Sequence, residues 1–446
     1  MVPNLEKKIG MEVYATNSSG VGGRIRQLPE DFIVEEVLVD GSKAKISLVK
    51  NQKVKGKGGF LICALVKQNW DNLLVVKEIS RQLGVDSERV KIAGIKDAKA
   101  VTSQHISVRT ATPEQILRVK IKDVSLCPLK YSREGMSPHL LLGNQFHITI
   151  RAITYPFSEI EKRVRNVQNE LSSLGGIPNF FGHQRFGTVR PITHLVGKAL
   201  IQGDFEKAAL TFLAQSSLHE HPKSREVRKE LQRTQDFQKA FQSFPSFLKY
   251  ERLMLYHLAK HPRDYLGAFR RLPLQLRKLF IHAYQSYLFN MFLSRRILQN
   301  IPLNEAQTGD YVVKLDEHGL PIRGGGEGTE KKVWDIGKMR VSLPLLGLKQ
   351  EPSNGVQGEI EQEILKTENV APEDFHIQAM PKLSESGGLR TTLTSINHFL
   401  IEKASEDSEN PSRRKLKLSF FLRRGSYATI VLRELMKPHA IVRAGF

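Results

Sequence analysis

In AGIKDAKAVTSQ, residues 93–104, a single carboxylate stands among small, polar and basic side chains, with Lys96 and Lys99 flanking Asp97. Asp and Gly favour turns, so one reading makes Asp97 a solvated loop residue. The other makes it a functional anion whose cationic neighbours, Lys96 first, keep it ionised against the desolvation of a closed site. A second stretch, NFFGHQRFG at 179–187, interleaves Phe180, Phe181 and Phe186 with Asn179, Gln184 and Arg185. A buried aromatic turn explains the phenylalanines but not the alternating amide and guanidinium groups. Aromatic faces stack on bases, amides read base edges and guanidinium groups hold phosphate. LPEDFIVEE, residues 28–36, carries a similar aromatic–polar combination around Phe32.

The charge balance favours that chemistry. The chain has 446 residues, with 67 Lys and Arg against 46 Asp and Glu, for a formal net charge of +21. Such an excess points to a polyanionic partner, nucleic acid ahead of an anionic membrane surface. Lys43, Lys45, Lys50, Lys53, Lys55 and Lys57 form one cluster with no acid between them, at the expected tip of a hairpin. Arg413, Arg414, Lys415, Lys417, Arg423 and Arg424 form a second. One such run is usually a solvated face, whereas two on a chain this basic favour phosphate contacts.

Other chemistries find little support. His257 and His261 are four apart on an expected helix, but no HExxH glutamate or third ligand accompanies them, so no metal site is expected. The glycines between 324 and 328 are not followed by GK[ST], and no GxGxxG follows a strand, so no nucleotide cofactor is expected either. MVPNLEKKIGMEVYA carries no apolar run of the signal-peptide kind. LFIHAYQSYLFNMFL is interrupted by His282, Gln285, Ser286 and Asn290, which argues against a membrane span. Cys63 and Cys127 offer neither a disulfide framework nor a CxxC site, and a cytoplasmic protein is expected.

The elements that must position these residues read as α+β. GGFLICALVK, VKIAGI and QHISVR look like strands, so the Asp97 loop joins strand to strand. WDNLLVVKEISRQLG places Trp70, Leu73, Leu74, Ile79 and Leu83 near helical spacing, and Gly84 stops the helix. Thr112 and Gln115 form a capping box, as do Ser158 and Glu161, the latter before a stripe of Ile160, Val164, Val167, Leu171 and Leu174. HLLLGNQFHITIRAI is a long strand region bent at Gly143. From Pro191 to Arg296 the reading is mostly helical, while RGGGEGTEK and the acidic segment 351–374 look like exposed connections. KLKLSFFLRR and YATIVLRELMK return to strand and helix.

LPEDFIVEE, AGIKDAKAVTSQ, NFFGHQRFG and GSYATIVLREL, in that order, resemble the motifs of the tRNA pseudouridine synthase D family, TruD, from residue 28 to residue 435. Length and the helical middle resemble the family's archaeal members. The resemblance implies a circularly permuted pseudouridine synthase catalytic domain with a mixed, largely antiparallel sheet, interrupted by a mostly helical insertion domain. The divisions that follow are 1–176 for the first catalytic part, 177–397 for the insertion and 398–446 for the returning part. The implied reaction is isomerisation of uridine, at position 13 of tRNA, to pseudouridine, by a monomer that needs no metal or cofactor. Asp97 matches the catalytic aspartate, acting as a nucleophile on the sugar or on C6 of uracil, or as a base at C2′.

The same resemblance assigns the neighbours. Phe32 matches the aromatic that stacks on the flipped uracil, and Arg26 falls where lysine is frequent in the family, keeping the charge with a different geometry. Asn179 and Phe181 match the Asn-x-Phe-Gly motif that lines the site. Lys96, Gln104 and Arg185 complete the candidates for substrate and RNA contact. A non-catalytic RNA-binding or chaperone protein with the same basic surface is the alternative. An unrelated methyltransferase or glycosylase is a third reading, and for the methyltransferase no cofactor loop is in view.

Overall fold

The computed structural model of the chain describes residues 1–47, 54–328, 338–402 and 404–446. Short apolar runs bounded by turns build a nine-stranded sheet. Its first six strands are β1 (Phe32–Leu38), β2 (Phe60–Gln68), β3 (Val90–Ile92), β4 (Val101–Arg109), β5 (Val124–Ser132) and β6 (Leu141–Ile153). The path runs Ile396–Ile401, Arg414–Arg423, β6, β1, β4, β2, β5, with β3 laid on β4 and Ser405–Glu406 on Arg414–Arg423. β1 and β4 are parallel and their neighbours pair antiparallel. The protein is α+β, with the C-terminal strands completing a sheet begun near the N-terminus. Cys63 and Cys127 come to adjacent strands of it and are both buried.

β4 pairs with β1, β2 and β3 and is buried from Val101 to Val108. One face meets the helix Asn72–Leu83 through Val75 and Ile79, which pack with Leu61, Cys63, Leu65, Ile106 and Val108. Asp71 Oδ1 caps that helix by accepting from Leu73 N–H and Leu74 N–H at 2.8 and 3.1 Å, and Gly84, in the left-handed region at φ +66°, ends it. Leu73 and Leu74 do not join the buried stripe: both are exposed, because the helix turns Asn72 and Val75 inward instead. The helix Phe157–Ser173 buries Ile160, Val164, Val167 and Leu171 as its spacing predicts. It starts at Phe157 behind Pro156, without a side-chain cap, so the Ser158–Glu161 box does not form. The Thr112–Gln115 box does, at 2.9 and 3.4 Å.

The middle of the chain forms a helical lobe whose spine is the 25-residue helix Leu274–Leu298. It crosses Thr193–Ile201 so closely that a Cβ on Gly197 would lie 2.0 Å from Phe280 O. The lobe is not purely helical, since a four-stranded sheet, Gly388–Thr391, Met339–Leu345, Tyr311–Leu315 and Pro321–Gly328, belongs to it. The glycine-rich stretch thus contributes a strand over Arg323–Gly328, and residues 329–331 lie outside those described. The acidic segment is likewise no exposed connection: Gly355–Glu368 is a helix that buries Ile360, Ile364 and Leu365 at helical spacing. The chain leaves for the lobe through Ile177–Pro178 and returns beside it, where Leu393–Thr394 pairs antiparallel with that strand.

One buried ion network ties the distant segments together. Arg433, fully buried in the helix Ala428–Met436, donates to Glu6 Oε2 at 2.9 Å, Glu434 Oε1 at 2.9 Å and Val13 O at 2.8 Å. Glu6 also meets His183 Nε2 at 3.1 Å, and Glu434 accepts from the Ala15 and Thr16 backbone at 3.1 Å each. Burial raises the Glu6 carboxyl's pKa, but Arg433 and His183 outweigh burial and hold it below the usual carboxylate range. Replacing Arg433 with Met strands two carboxylates in the interior and should cost about 3–5 kcal/mol. The denaturant midpoint of Arg433→Met, measured with an unchanged m-value, checks this; a loss below about 1 kcal/mol would contradict it.

Candidate active site

Asp97 lies in the turn between β3 and β4, and buried polar side chains fix that turn from below. Lys67, inside β2 and fully buried, donates from Nζ to Asp97 O at 2.9 Å and to Trp70 O at 2.7 Å. Lys96 donates from Nζ to Glu36 Oε2 at 2.7 Å. Glu36, buried in β1, also accepts from His105 N–H at 2.9 Å. Asn72 Nδ2 reaches Gly94 O at 3.4 Å and Gln104 Oε1 at 3.2 Å. The loop is therefore held by β1, β2, β4 and the first turn of a helix.

Lys96 is consequently not the cation that faces Asp97, because its ammonium is taken by Glu36. That cation is Arg26, whose Nη2 stands 3.4 Å from Asp97 Oδ2, while Gln184 Nε2 donates to Oδ1 at 2.6 Å. Arg26 Nη1 also donates to Gly445 O at 3.1 Å. Its guanidinium carbon lies 4.0 Å from the ring centroid of Phe32, which is itself buried and edge-on to Phe146. Arg26 adopts φ +55°, a left-handed conformation that costs a non-glycine residue of order 1 kcal/mol and is kept by these contacts. Burial lowers the guanidinium's pKa, and Asp97 offsets part of that.

These groups wall a cavity of about 320 Å³. β1 supplies Phe32 and Val34, β6 supplies Asn144 and Phe146, the loop supplies Gly94 to Asp97, and Arg424 to Thr429 close another side. Gln184 lines it too. A second cavity of about 440 Å³ shares Arg424, Gly425 and Ser426 with the first and is lined by Asn179, Arg390 and Arg423.

The structure brings Arg26, Phe32, Lys96 and Asp97 to one cavity and disperses the other candidates. Asn179 faces the second cavity, where its Oδ1 and backbone O accept from Arg390 Nη2 and Nε at 2.6 and 2.8 Å. Phe181 packs edge-on to Phe289 and Tyr427, with the Arg390 guanidinium 4.0 Å from its centroid. Gln104 is buried beneath the loop. Arg185 lies 5.4 Å from the Phe181 centroid, its Nε without a hydrogen-bond partner among the described residues. Of the basic clusters, Lys43 pairs with Glu35 at 2.7 Å, and Lys50 and Lys53 lie outside the described residues. Arg423 and Arg424 donate to His318 O and Pro138 O at 2.6 and 2.8 Å while lining the cavities.

Sequence reasoning missed Lys67, Glu36 and Arg390. A lysine inside the apolar run FLICALVKQ, and adjacent acids that break the alternation of FIVEEVL, were the available signals for the first two. Arg390 had none, since its burial is created by the lobe. Burial pushes its guanidinium pKa down to about 10.

The model for the family described as tRNA pseudouridine synthase D (TruD) matches residues 8–435. A Methanosarcina mazei protein named "Probable tRNA pseudouridine synthase D" is 40% identical over 450 residues, covering 99% of both chains. One of that name from Thermococcus onnurineus is 40% identical over 438 residues, covering 96% of this chain and 97% of its own. A crystal structure from Methanosarcina mazei bearing the family name superposes with a TM-score of 0.81 at 40% identity, covering 98% of each chain.

The clamp on the loop has a pH signature. Burial pushes the Lys67 ammonium down to about 8, Asp97 and Asp71 opposing it. Between that value and the unfolded lysine's ordinary one, near 10.4, the unfolded chain binds more protons, so stability gains from rising pH. The unfolding free energy of wild type minus that of Lys67→Met should therefore climb by roughly 2–3 kcal/mol from pH 7.5 to pH 10.5. Denaturant titrations at both pH values measure it; a constant difference would place Lys67's proton affinity at its unfolded value.

Proposed function

We propose, from the premise that the chain belongs to the tRNA pseudouridine synthase D family, that it isomerises a uridine of tRNA to pseudouridine, at position 13 as the resemblance implies. Asp97 is the group that acts on the flipped-out nucleotide. One observation supports this above the others: a carboxylate contacted by Arg26 and Gln184 stands in a cavity of about 320 Å³ beside the ring of Phe32. The same reading divides the chain into catalytic parts at 1–176 and 398–446 around an insertion at 177–397.

The reaction breaks N1–C1′, turns the uracil and joins C5 to C1′; C5 then loses its proton and N1 takes one up. Asp97 serves it by attacking C1′ or C6, or by taking the C2′ proton. Each route needs the carboxylate in contact with the nucleotide. Water must stay out, because its attack on the sugar would release uracil.

Phe32 cannot stack on uracil in the arrangement seen, since the Arg26 guanidinium lies over its ring. The base enters as Arg26 withdraws, and the released guanidinium is then free for a phosphate of the extruded nucleotide. Extrusion costs a few kcal/mol and stacking returns about 1–3 kcal/mol, so the aromatic decides whether the flipped state is populated. Arg390, Arg423 and Arg424 in the adjoining cavity supply further cationic groups for the RNA backbone.

Incubating the purified protein with unmodified tRNA and mapping pseudouridine chemically tests this. Asp97→Asn should abolish conversion while tRNA affinity stays within about twofold, because removing an anion from a basic surface does not weaken phosphate binding. Tight binding by wild type with no conversion would favour the RNA-binding or chaperone reading. Release of free uracil would indicate a glycosylase.

A further inference from the structure

Three polar atoms that belong to the walls of the Asp97 cavity have no hydrogen-bond partner among the described residues, Arg26 Nε, Asn144 Oδ1 and Thr429 Oγ1, and the last two are the uncharged ones. All three atoms are buried, and Thr429 as a whole is 3% exposed. A buried polar atom left unpaired forfeits its hydration with nothing in return, so each such atom in a native fold needs a reason. Position supplies one. Asn144 lies two residues from Phe146 on β6, so the two share a face, and their register partners on β1 are Glu36 and Val34. That is the face carrying Phe32. Thr429 comes from the first turn of the helix Ala428–Met436. A Cβ on Gly182 would lie 2.8 Å from its hydroxyl oxygen, so a glycine there keeps the hydroxyl's surroundings open.

We propose that Asn144 and Thr429 hold the O2–N3–O4 edge of the uracil, Asn144 Oδ1 accepting from N3–H and the Thr429 hydroxyl donating to a flanking carbonyl. This rests on the isomerase reading and adds to it the contacts that choose the base. Cytosine carries no hydrogen on N3, so it offers an acceptor to the Asn144 acceptor, while the Thr429 hydroxyl, which can donate or accept, tolerates either base. The same edge suits the reaction. A half-turn of uracil about its N3···C6 axis exchanges N1 with C5 and O2 with O4, and leaves N3–H where it was. An acceptor on N3–H is thus a pivot that holds the base from the breaking of N1–C1′ to the forming of C5–C1′. A carbonyl stands beside it before and after the turn.

Single-turnover conversion of tRNA carrying either uridine or N3-methyluridine at the target tests the pivot. Wild type should convert uridine and lose more than about a hundredfold on the methylated base. Asn144→Ala should slow uridine roughly tenfold to a hundredfold with tRNA affinity unchanged, and its methyl penalty should shrink below about tenfold, since the acceptor is gone and the methyl group has room. Thr429→Val keeps the shape and removes the hydroxyl, so it should slow conversion while its melting temperature holds or rises. A structural hydroxyl would lower that temperature instead. Wild-type conversion with an undiminished methyl penalty in Asn144→Ala, or with Thr429→Val at full rate, overturns the edge contact alone. No conversion by wild type would remove the isomerase reading itself.

Discussion

Arg433 is a cation with no solvent exposure, and what keeps it inside is the convergence of Glu6, Glu434 and the Val13 carbonyl on one guanidinium. The three come from the N-terminal segment and the C-terminal helix, and Glu6 reaches the aromatic turn through His183. Desolvating these charges singly would each cost several kcal/mol, so the network forms together or not at all. That cooperativity has a positional consequence. Gln184 sits next to His183, and Tyr427 to Thr429 lead into the helix that carries Arg433, so pinning the ions also sets the height of the walls around Asp97. The lone carboxylate and its cavity are brought together by an interaction that contains neither.

Within that frame the Asp97 loop is held by a different device. Lys67 and Lys96 point their ammonium groups inward, one to backbone carbonyls and one to Glu36, and so are not available to RNA. Positive charge near the site therefore divides by burial. Inward cations fix geometry, where low dielectric makes each hydrogen bond strong. Cations along the second cavity keep part of their hydrogen-bonding capacity for an anion. Net charge alone does not separate the two classes, and a count of lysines overstates what is offered to phosphate.

Legibility in the sequence followed the range of the forces. Local signals held: the Thr112 cap, Gly84, the stripe from Ile160 to Leu171 and the strand-to-strand Asp97 loop were all readable, as was the helical middle. Errors arose where long-range packing decides. Leu73 and Leu74 read as core because they are apolar, yet the sheet takes Val75 in their place, one turn before the expected Ile79. The segment 351–374 read as a connection because it is acidic, yet three aliphatic residues at helical spacing bury its helix. Lys96 read as the partner of Asp97 because it is adjacent in sequence, whereas Glu36, sixty residues away, takes its charge. The four motifs gave the family, but not the way they interlock.

On the proposed reading Phe32 is the platform for a base, and in the free protein the Arg26 guanidinium covers it. A phenylalanine face left open in a polar cavity would either be wetted at a cost or draw the walls inward, closing the space a base must enter. A guanidinium is a suitable cover because it is planar and more weakly hydrated than an ammonium, so little is lost when it leaves water for the ring. Its attraction to the ring, about 0.5–2 kcal/mol, is comparable with the 1–3 kcal/mol a base gains by stacking in its place. Exchange of one plane for the other is then close to balanced, and small differences decide it. An extruded nucleotide brings a phosphate to which Arg26 can move, whereas a free base brings none. On the proposed reading, the exchange favours a uridine that is part of a nucleic acid over one that is not, and the selectivity resides in the guanidinium's alternative partner rather than in the shape of the cavity.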